Sequence, residues 1–517
     1  MNDVRTERNN VTKDTFYITT PIYYVNAIPH VGSAYTTIVA DVIARWHRLH
    51  GEKVFFLTGV DEHGAKQQKS AEEAGIDTQT YVDSMVPHFR ELWQALNISN
   101  DDFIRTTEER HKRAVVPFLE RLQRNGDVYT ARYEGWYCVR CEEFKTETEV
   151  VDGNCRVHGT PVEWLAEDNH FFRLSKYNDR LIELYETDPS FLQPKRAYNE
   201  MYALLKQGLI DTPISRRIRW GIPFPGDPEQ VVYVWVEALT NYITAIGYER
   251  DAAMFERIWP ADLHLMAKEI VRFHAVIWPA MLMSLDLPLP KHVYAHGWLL
   301  AGGEKISKSG RGITDLKPRE LIAAYGVDAY RHHFIRGIKF GGDDASFSLE
   351  DMHARYTADL VNGLGNLASR TLAMIERYFG GIVPDVSAAG EPEAELLRTA
   401  ADADGLAAAH MDSFEVTQAF DVIWDVVRRA NQYLVEREPW KLAKDRSQMP
   451  LVGAVLSTTA HVLAHVAALL GPVMPEAMQE IWSRLGYEGA PTVDPASPAG
   501  HRVRTGDPLF PRLEAPA

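Results

Sequence analysis

The chain has 517 residues, of which 45% are hydrophobic and 24% charged, with a formal net charge of −16. That length allows two to four domains with ample cores, and the composition is that of an ordinary soluble globular protein. The acidic balance argues against a protein whose whole surface binds nucleic acid, while leaving room for a local basic track. The first fourteen residues are polar and carry no apolar signal-peptide core, and no membrane span is legible further on, so a cytoplasmic enzyme is the default expectation.

Phe16-Tyr-Ile-Thr-Thr reads as a strand, followed by a turn with Pro21, Asn26 and Pro29 and by a helical pattern from Gly32 to His50. Val54–Val60 is a second apolar run that stops at Asp61-Glu62-His63-Gly64 before another helix. Strand, loop and helix repeated in this order open a doubly wound α/β domain, in which ligands bind where strands end. From Arg121 to Glu229 short aromatic-rich strands and then helices interrupt the pattern as an insertion. Parallel-sheet strands are predicted to resume with Val231-Val-Tyr-Val-Trp-Val, Asp262-Leu-His-Leu-Met and Lys291-His-Val-Tyr-Ala-His. Ser387 to Ala409, rich in Ala, Glu and Asp, reads as a solvated loop running into a helix, and helices dominate after Tyr356.

All three cysteines lie in the insertion, as Cys138-Val-Arg-Cys141 and Cys155-Arg-Val-His158. Two knuckle-spaced pairs, the second ending in His, would close a Cys3His shell around one structural Zn²⁺, with no coordination position left for catalysis. A disulfide with a spare thiol, or three space-filling cysteines, is the alternative, and nothing in the sequence points to the oxidising compartment a disulfide needs.

Two further motifs carry chemistry. Pro29-His30-Val31-Gly32-Ser33 opens the first helix, where free backbone N–H groups favour anions, Gly32 permits close approach and His30 can donate to a phosphate. A capping or packing histidine is the plainer reading of the same residues. Lys305-Ile306-Ser307-Lys308-Ser309, flanked by glycines, could wrap a polyphosphate or be a solvated basic loop. No Gly-x4-Gly-Lys-[Ser/Thr] occurs, which excludes a P-loop NTPase.

Taken in order, His30-Val-Gly32 after the first strand, a knuckle-bearing insertion and Lys305-Ile-Ser-Lys308-Ser resemble the HIGH and KMSKS signatures of class I aminoacyl-tRNA synthetases. Phe16–Asn26, Gly59–Gly64 and Val234-Trp-Val-Glu-Ala238 bring the resemblance to the methionyl-tRNA synthetases, single-knuckle type, over nearly the whole chain. The fold this implies is a doubly wound, Rossmann-like parallel-sheet catalytic domain split by a zinc-bearing insertion and followed by an all-α helical domain. Its segments would be residues 1–120 and 230–300 for the two catalytic halves, 121–229 for the insertion, 301–355 for the KISKS loop and linking region, and 356–517 for the anticodon-binding domain.

The resemblance implies that methionine's carboxylate attacks the α-phosphate of ATP and that the methionyl-adenylate then esterifies the terminal ribose of tRNA(Met). Catalysis would come from positioning and from His30, Lys305 and Lys308 on the phosphates, with Mg²⁺ accompanying ATP. ATP would touch Pro29, His30, Gly32, Ser33, Lys305, Ser307 and Lys308. Methionine would sit among Ile22, Tyr24, Asp61, Trp235, Ala238, Leu239, Tyr242 and His274, with Asp61 pairing its ammonium and aromatic walls suiting its sulfur. Without the resemblance, Trp235 and Tyr242 read equally as core aromatics. Asn366 and Arg370, four residues apart on one helix face, and Trp440 match the family's anticodon-reading positions; a capping Asn, a surface Arg and a core Trp are the alternatives.

The sequence departs from the family at Ser33, where a second His is usual, and at Ile306, where Met is usual. Serine still donates a hydrogen bond but lacks the imidazolium charge, so the expectation is slower adenylation or greater reliance on the lysines, in a variant form such as a second synthetase copy in its organism. The chain ends soon after the helical region, which suggests a monomer, and neither DNA nor membrane is an implied partner. The isoleucine, valine and leucine enzymes carry editing insertions too large for this length. A cysteine-specific enzyme would need active-site thiols near the signature. A non-catalytic tRNA-binding relative that lost activity through Ser33 is the alternative from another class.

Overall fold

The computed structural model describes residues 13–139, 143–145, 147–156, 159–301, 304–305, 318–386 and 388–515. By contact the chain falls into two compact units, one of residues 1–29, 53–91 and 100–296, the other of residues 30–52, 92–99 and 297–517.

The first unit holds a six-stranded sheet whose neighbours all run parallel. Its strands are β1 (Thr15–Tyr24), β2 (Lys53–Asp61), β3 (Asp102–Arg105), a short edge strand at Leu192–Gln193, and strands at Leu263–Ala267 and His292–His296. In space the order is β3, β2, β1, Leu263–Ala267, His292–His296, Leu192–Gln193. Strand order reverses at β1, and it is beyond the carboxyl ends of strands at such a switch point that open α/β sheets bind ligands. Asp262 anchors the edge of this centre by accepting the Tyr17 N–H at 2.6 Å. The β1–β2 register shifts between Thr19 and Ile22, a bulge accommodating Pro21, and it brings Tyr24 opposite Asp61. Gly59 is required there, because a Cβ would lie 2.2 Å from the Ile104 carbonyl oxygen on β3.

The insertion is an antiparallel sheet. Its long hairpin pairs β4 (Val128–Cys138) with Glu163–Phe172, and Glu143–Lys145 adds to it at Cys138. Leu192–Gln193 returns from within the predicted insertion to the parallel sheet, a contribution too short to leave a hydrophobic signature in the sequence.

One predicted strand needs correction. Val231-Val-Tyr-Val-Trp-Val does not join the parallel sheet. Asp227–Val232 pairs antiparallel with Ser215–Arg216 and Pro223–Phe224, and from Val234 the chain turns helical. A six-residue apolar run fits a buried strand and a buried helix equally, and the longer apolar stripe through Tyr242 decides for the helix.

In the second unit, helix α1 (Val31–Leu49) and helices from Pro318 onward surround a separate core. An ion pair explains why α1 belongs with this unit rather than with the strands flanking it in sequence. Arg331, fully buried, donates to the Asp41 carboxylate on α1 at 2.7 Å and to the carbonyls of Leu96, Pro472 and Val473 at 3.0, 2.8 and 2.8 Å. A buried charge satisfied on every side is strongly destabilising to break, by about 3–5 kcal/mol. Helix Arg446–Leu470 is long and apolar enough by length and composition to cross a membrane, but 89% of its apolar window is buried inside the protein, as in the core helix of a soluble protein. The acidic stretch forms the helix Glu391–Asp412, capped by Glu393 accepting the Gly390 N–H at 2.8 Å.

Candidate functional site

The residues predicted for methionine converge in the first unit. Helix α2 (Val234–Thr244) presents Trp235, Ala238, Leu239 and Tyr242 along one face, as spacings of three and four dictate. Ala238, Leu239 and Tyr242 are buried and Trp235 half-buried. Tyr24 at the end of β1 meets Trp235 edge-on at 6.3 Å, and the Lys66 ammonium lies 4.3 Å above the Tyr24 ring. Ile22 and Tyr24 pack against the same core as Trp235. Asp61, at the carboxyl end of β2, is 4% exposed.

His274 lies on a π-helical turn, Phe273–Ile277, and its ring is fixed from both sides. Nδ1 is 3.0 Å from the Ile270 carbonyl oxygen and must donate to it, so Nε2, 2.8 Å from the Tyr242 hydroxyl, accepts from that O–H. Burial lowers the His274 pKa to about 4, which keeps the ring neutral at physiological pH. Burial likewise pushes the Tyr242 hydroxyl well up. The residues gathered here therefore offer neutral dipoles beside one buried carboxylate, Asp61. The Trp235 indole N–H is buried with no acceptor among the described residues, a donor left over for something outside the fold.

Of the residues predicted for phosphate, Pro29 is buried in the first unit, and His30, Gly32 and Ser33 belong to the second. His30 is the N-cap of α1, and its Nδ1 accepts the Gly32 N–H at 3.0 Å. The capping reading is thus correct, and it fixes the neutral ring's proton on Nε2. Gly32 is needed for this cap, since a Cβ there would lie 2.9 Å from the His30 ring. Ser33 is buried in the first turn. Lys305 pairs through its backbone with Leu300 in a short antiparallel bridge, and Ser307 and Lys308 lie outside the described residues.

Cys138 at the end of β4 and Cys155 are fully buried in one small cluster with Val162, against Trp136 and Val150. The Cys155 N–H donates to the Thr160 carbonyl at 2.8 Å, and the Cys155 carbonyl accepts the Gly159 N–H at 2.7 Å. Cys141 and His158 lie outside the described residues.

Asn366 and Arg370 on the helix Asn366–Phe379 line a cavity of about 400 Å³, with Asp359, Asn362, Trp424 and Asn431 among its walls. The Arg370 guanidinium stacks over Trp440 at 4.9 Å, so all three predicted residues come together.

The family model described as "tRNA synthetases class I (M)" matches residues 16–157 and 145–372, and that described as "Anticodon binding domain of methionyl tRNA ligase" matches residues 383–514. The chain belongs to the class I methionyl-tRNA synthetases. The methionine–tRNA ligase of Streptomyces coelicolor is 47% identical over 96% of this chain and 97% of that protein. The ligase of Caldanaerobacter subterraneus is 46% identical over 97% of this chain and 79% of that protein. A solved Mycobacterium tuberculosis methionyl-tRNA synthetase in complex with methionyl-adenylate is 40% identical, with a TM-score of 0.93 over 96% of this chain and all of that one.

Sequence reasoning missed two features of this synthetase's pocket. Phe273 stacks on Trp235 at 4.0 Å and 10°, and its place beside the predicted His274 was the only signal for it. Glu237 and His63, inside motifs quoted for the resemblance, form a buried network on the far side of α2.

Proposed function

We propose that this synthetase activates L-methionine with ATP and transfers it to tRNA(Met). The observation that carries the substrate is the pocket at the strand ends, where Trp235, Phe273, Tyr24, Tyr242 and neutral His274 gather in the same unit as the buried Asp61. Asp61 would pair the ammonium, and the aromatic walls would hold the thioether, with sulfur–aromatic contacts favouring it. A hydrophobic pocket separates close isosteres by only about 1–3 kcal/mol per methylene, so discrimination depends on how rigidly those walls stand.

In the first step a methionine carboxylate oxygen forms a bond to the α-phosphorus while the bond to the β-bridging oxygen breaks, and pyrophosphate leaves. In the second a hydroxyl of the tRNA's terminal ribose attacks the adenylate carbonyl, and AMP departs. Neither step needs an enzyme nucleophile, so the chain contributes positioning and charge. His30, with its proton on Nε2, would donate to phosphate at the start of α1, beside Gly32 and Ser33 and after Pro29. Lys305, Ser307 and Lys308 would gather the departing phosphates, whose charge Mg²⁺ would share. Asn366, Arg370 and Trp440 would read the anticodon by hydrogen bonds and stacking, in a helical domain taken from residue 356.

Cys138, Cys141, Cys155 and His158 would hold one Zn²⁺. The burial of Cys138 and Cys155 in one small cluster supports that fit. The ion would cross-link the insertion and take no part in the chemistry. Cys138→Ser should lower bound zinc from one per chain and lower the melting temperature together; full zinc with unchanged melting would count against the assignment. The same reading makes the enzyme a cytoplasmic monomer that binds neither DNA nor membrane.

Methionine-dependent exchange of labelled pyrophosphate into ATP, without tRNA and with the other nineteen amino acids as controls, tests the reaction. Exchange confined to methionine is the expected result. A folded, zinc-loaded preparation that exchanges nothing yet binds tRNA would point to a non-catalytic relative.

A further inference from the structure

Helix α2 has a second face. Trp235, Ala238, Leu239 and Tyr242 lie within about a third of a turn of one another, whereas Glu237 and Thr244 fall nearly opposite, seven residues apart and so on one stripe. Both are buried, Glu237 completely. A carboxylate has no place in a sealed apolar layer unless each oxygen is satisfied. Here one Glu237 oxygen lies 3.0 Å from His63 Nδ1 and the other 2.9 Å from His111 Nε2. Since a carboxylate only accepts, both imidazoles donate to it. His111 Nδ1 lies 2.8 Å from the Thr244 hydroxyl, so one histidine ties together two residues of the helix that stand two turns apart.

His63 stands two residues beyond Asp61, in a turn that is pinned on all sides. The Glu62 carboxylate accepts from Arg105 Nε at 2.9 Å and from Thr107, while its carbonyl accepts the Trp220 indole N–H at 2.6 Å. Gly64 donates its N–H to the Trp220 carbonyl at 3.3 Å, and Gln67 donates to the Asp61 carbonyl at 3.0 Å. The His63 ring lies 5.5 Å from that of Trp220. A rigid turn carrying Asp61 is thus joined through His63 to the rear of the helix whose front bears the pocket aromatics. Burial pushes the Glu237 carboxyl up, but the imidazoles of His63 and His111 outweigh it and hold the pKa below the usual range.

We propose that Glu237 is a positioning residue: by bridging His63 and His111 it fixes the distance between Asp61 and the methionine-facing side of α2, and so sets affinity for the amino acid and selectivity for its thioether. The inference rests on the methionine-binding reading of that pocket. Glu237 touches no substrate and acts only through α2 and the Asp61 turn. Its removal is felt by methionine and not by ATP, whose proposed ligands stand elsewhere in the chain.

The test is steady-state pyrophosphate exchange by the full chain, varying methionine and ATP separately, for the unaltered protein and for Glu237→Gln, His63→Gln, their double variant and Thr244→Val. Glu237→Gln should raise the methionine KM about ten- to a hundredfold, in line with the effect of a sub-ångström to ångström misplacement. Its ATP KM should stay within about threefold, and its preference for methionine over norleucine should fall. The double variant should be no worse than the more damaged single one, the mark of residues acting as one unit. Thr244→Val leaves every charge in place and should still raise the methionine KM severalfold, which keeps the test open if Glu237→Gln does not fold. An unchanged methionine KM in either folded variant would overturn the proposal, as would a rise in ATP KM parallel to that for methionine, which marks a merely structural role. If the unaltered chain exchanged with another amino acid or with none, the methionine reading itself would fall, and this inference with it.

Discussion

The aromatic pocket of the first unit and the cavity of the second hold polar groups in opposite ways. In the first, Asp61, His274 and Tyr242 are buried, the last two neutral, and behind them Glu237 lies between two histidines. Around the cavity, Asn362 and Arg428 are exposed and Arg370 half-buried. The charges there compensate one another in an open network: Arg336 donates to Asp359 and, at 2.9 Å, to Asp421, and stacks over Trp424 at 5.2 Å. Burial works against the Asp359 charge, but hydrogen bonds and charge from His332 and Arg336 prevail and bring its pKa to about 2. If the first site takes methionine and the second unpaired bases, as proposed, the contrast teaches that a small flexible substrate calls for walls fixed in advance, where solvent cannot compensate a misplaced dipole, whereas large bases bring their own stacking surface and half-exposed amides and guanidiniums suffice.

The largest break in that contrast comes from the buried carboxylate. Asp61→Asn keeps the shape but removes the charge, and kcat/KM for methionine in pyrophosphate exchange should fall about a hundredfold or more, roughly 3 kcal/mol or above. A loss below tenfold would show that Asp61 does not pair the ammonium. Beside the cavity, where Arg370 stacks on it, Trp440→Ala should lower kcat/KM for tRNA charging by about 10- to 100-fold, the worth of one stacked base at 1–3 kcal/mol, and leave tRNA-independent exchange intact. Equal losses in both assays would mean the two regions are not separable in function. Tyr242→Phe strips His274 Nε2 of its donor and should destabilise the protein by about 1–2 kcal/mol in denaturant titration, because an unsatisfied buried acceptor retains its desolvation cost.

The smallest effect belongs to Asp328, which accepts the Ala477 N–H at 2.5 Å and whose carboxyl burial raises from 3.8 to about 6. A raised acid favours the folded state only while protonated, so its contribution is complete below pH 3.8 and lost as pH rises through about 6. The full difference is about 3 kcal/mol at most. Asp328→Asn should therefore stabilise the protein by about 1 kcal/mol at pH 8, net of the weaker hydrogen bond, and by nothing at pH 4. Equal effects at both pH values would remove the titration argument.

Several features were legible because they depend on spacing alone. The pairing of β1 with β2, the helix beginning at the HVGS motif and the one-face arrangement of Asn366 and Arg370 follow from periods of two and 3.6. The seam at Val231–Val236 was misread because a short apolar run carries no period, and the edge strand Leu192–Gln193 is shorter than any pattern. Phe273 escaped because its meaning lies in which ring it stacks against, a contact across 38 residues from Trp235.

By itself, then, the sequence determined the order of elements, the ligand-spaced cysteines and the chemical types available at each motif, since these are local or one-dimensional properties. Tertiary structure decided that His30 caps its own helix, that α1 is held by Arg331 within the second unit, that His274 is neutral, and that Glu237 sits between two histidines behind the pocket. Each of these turns on burial and on partners distant along the chain, and desolvation and hydrogen-bond geometry exist only once the chain has folded.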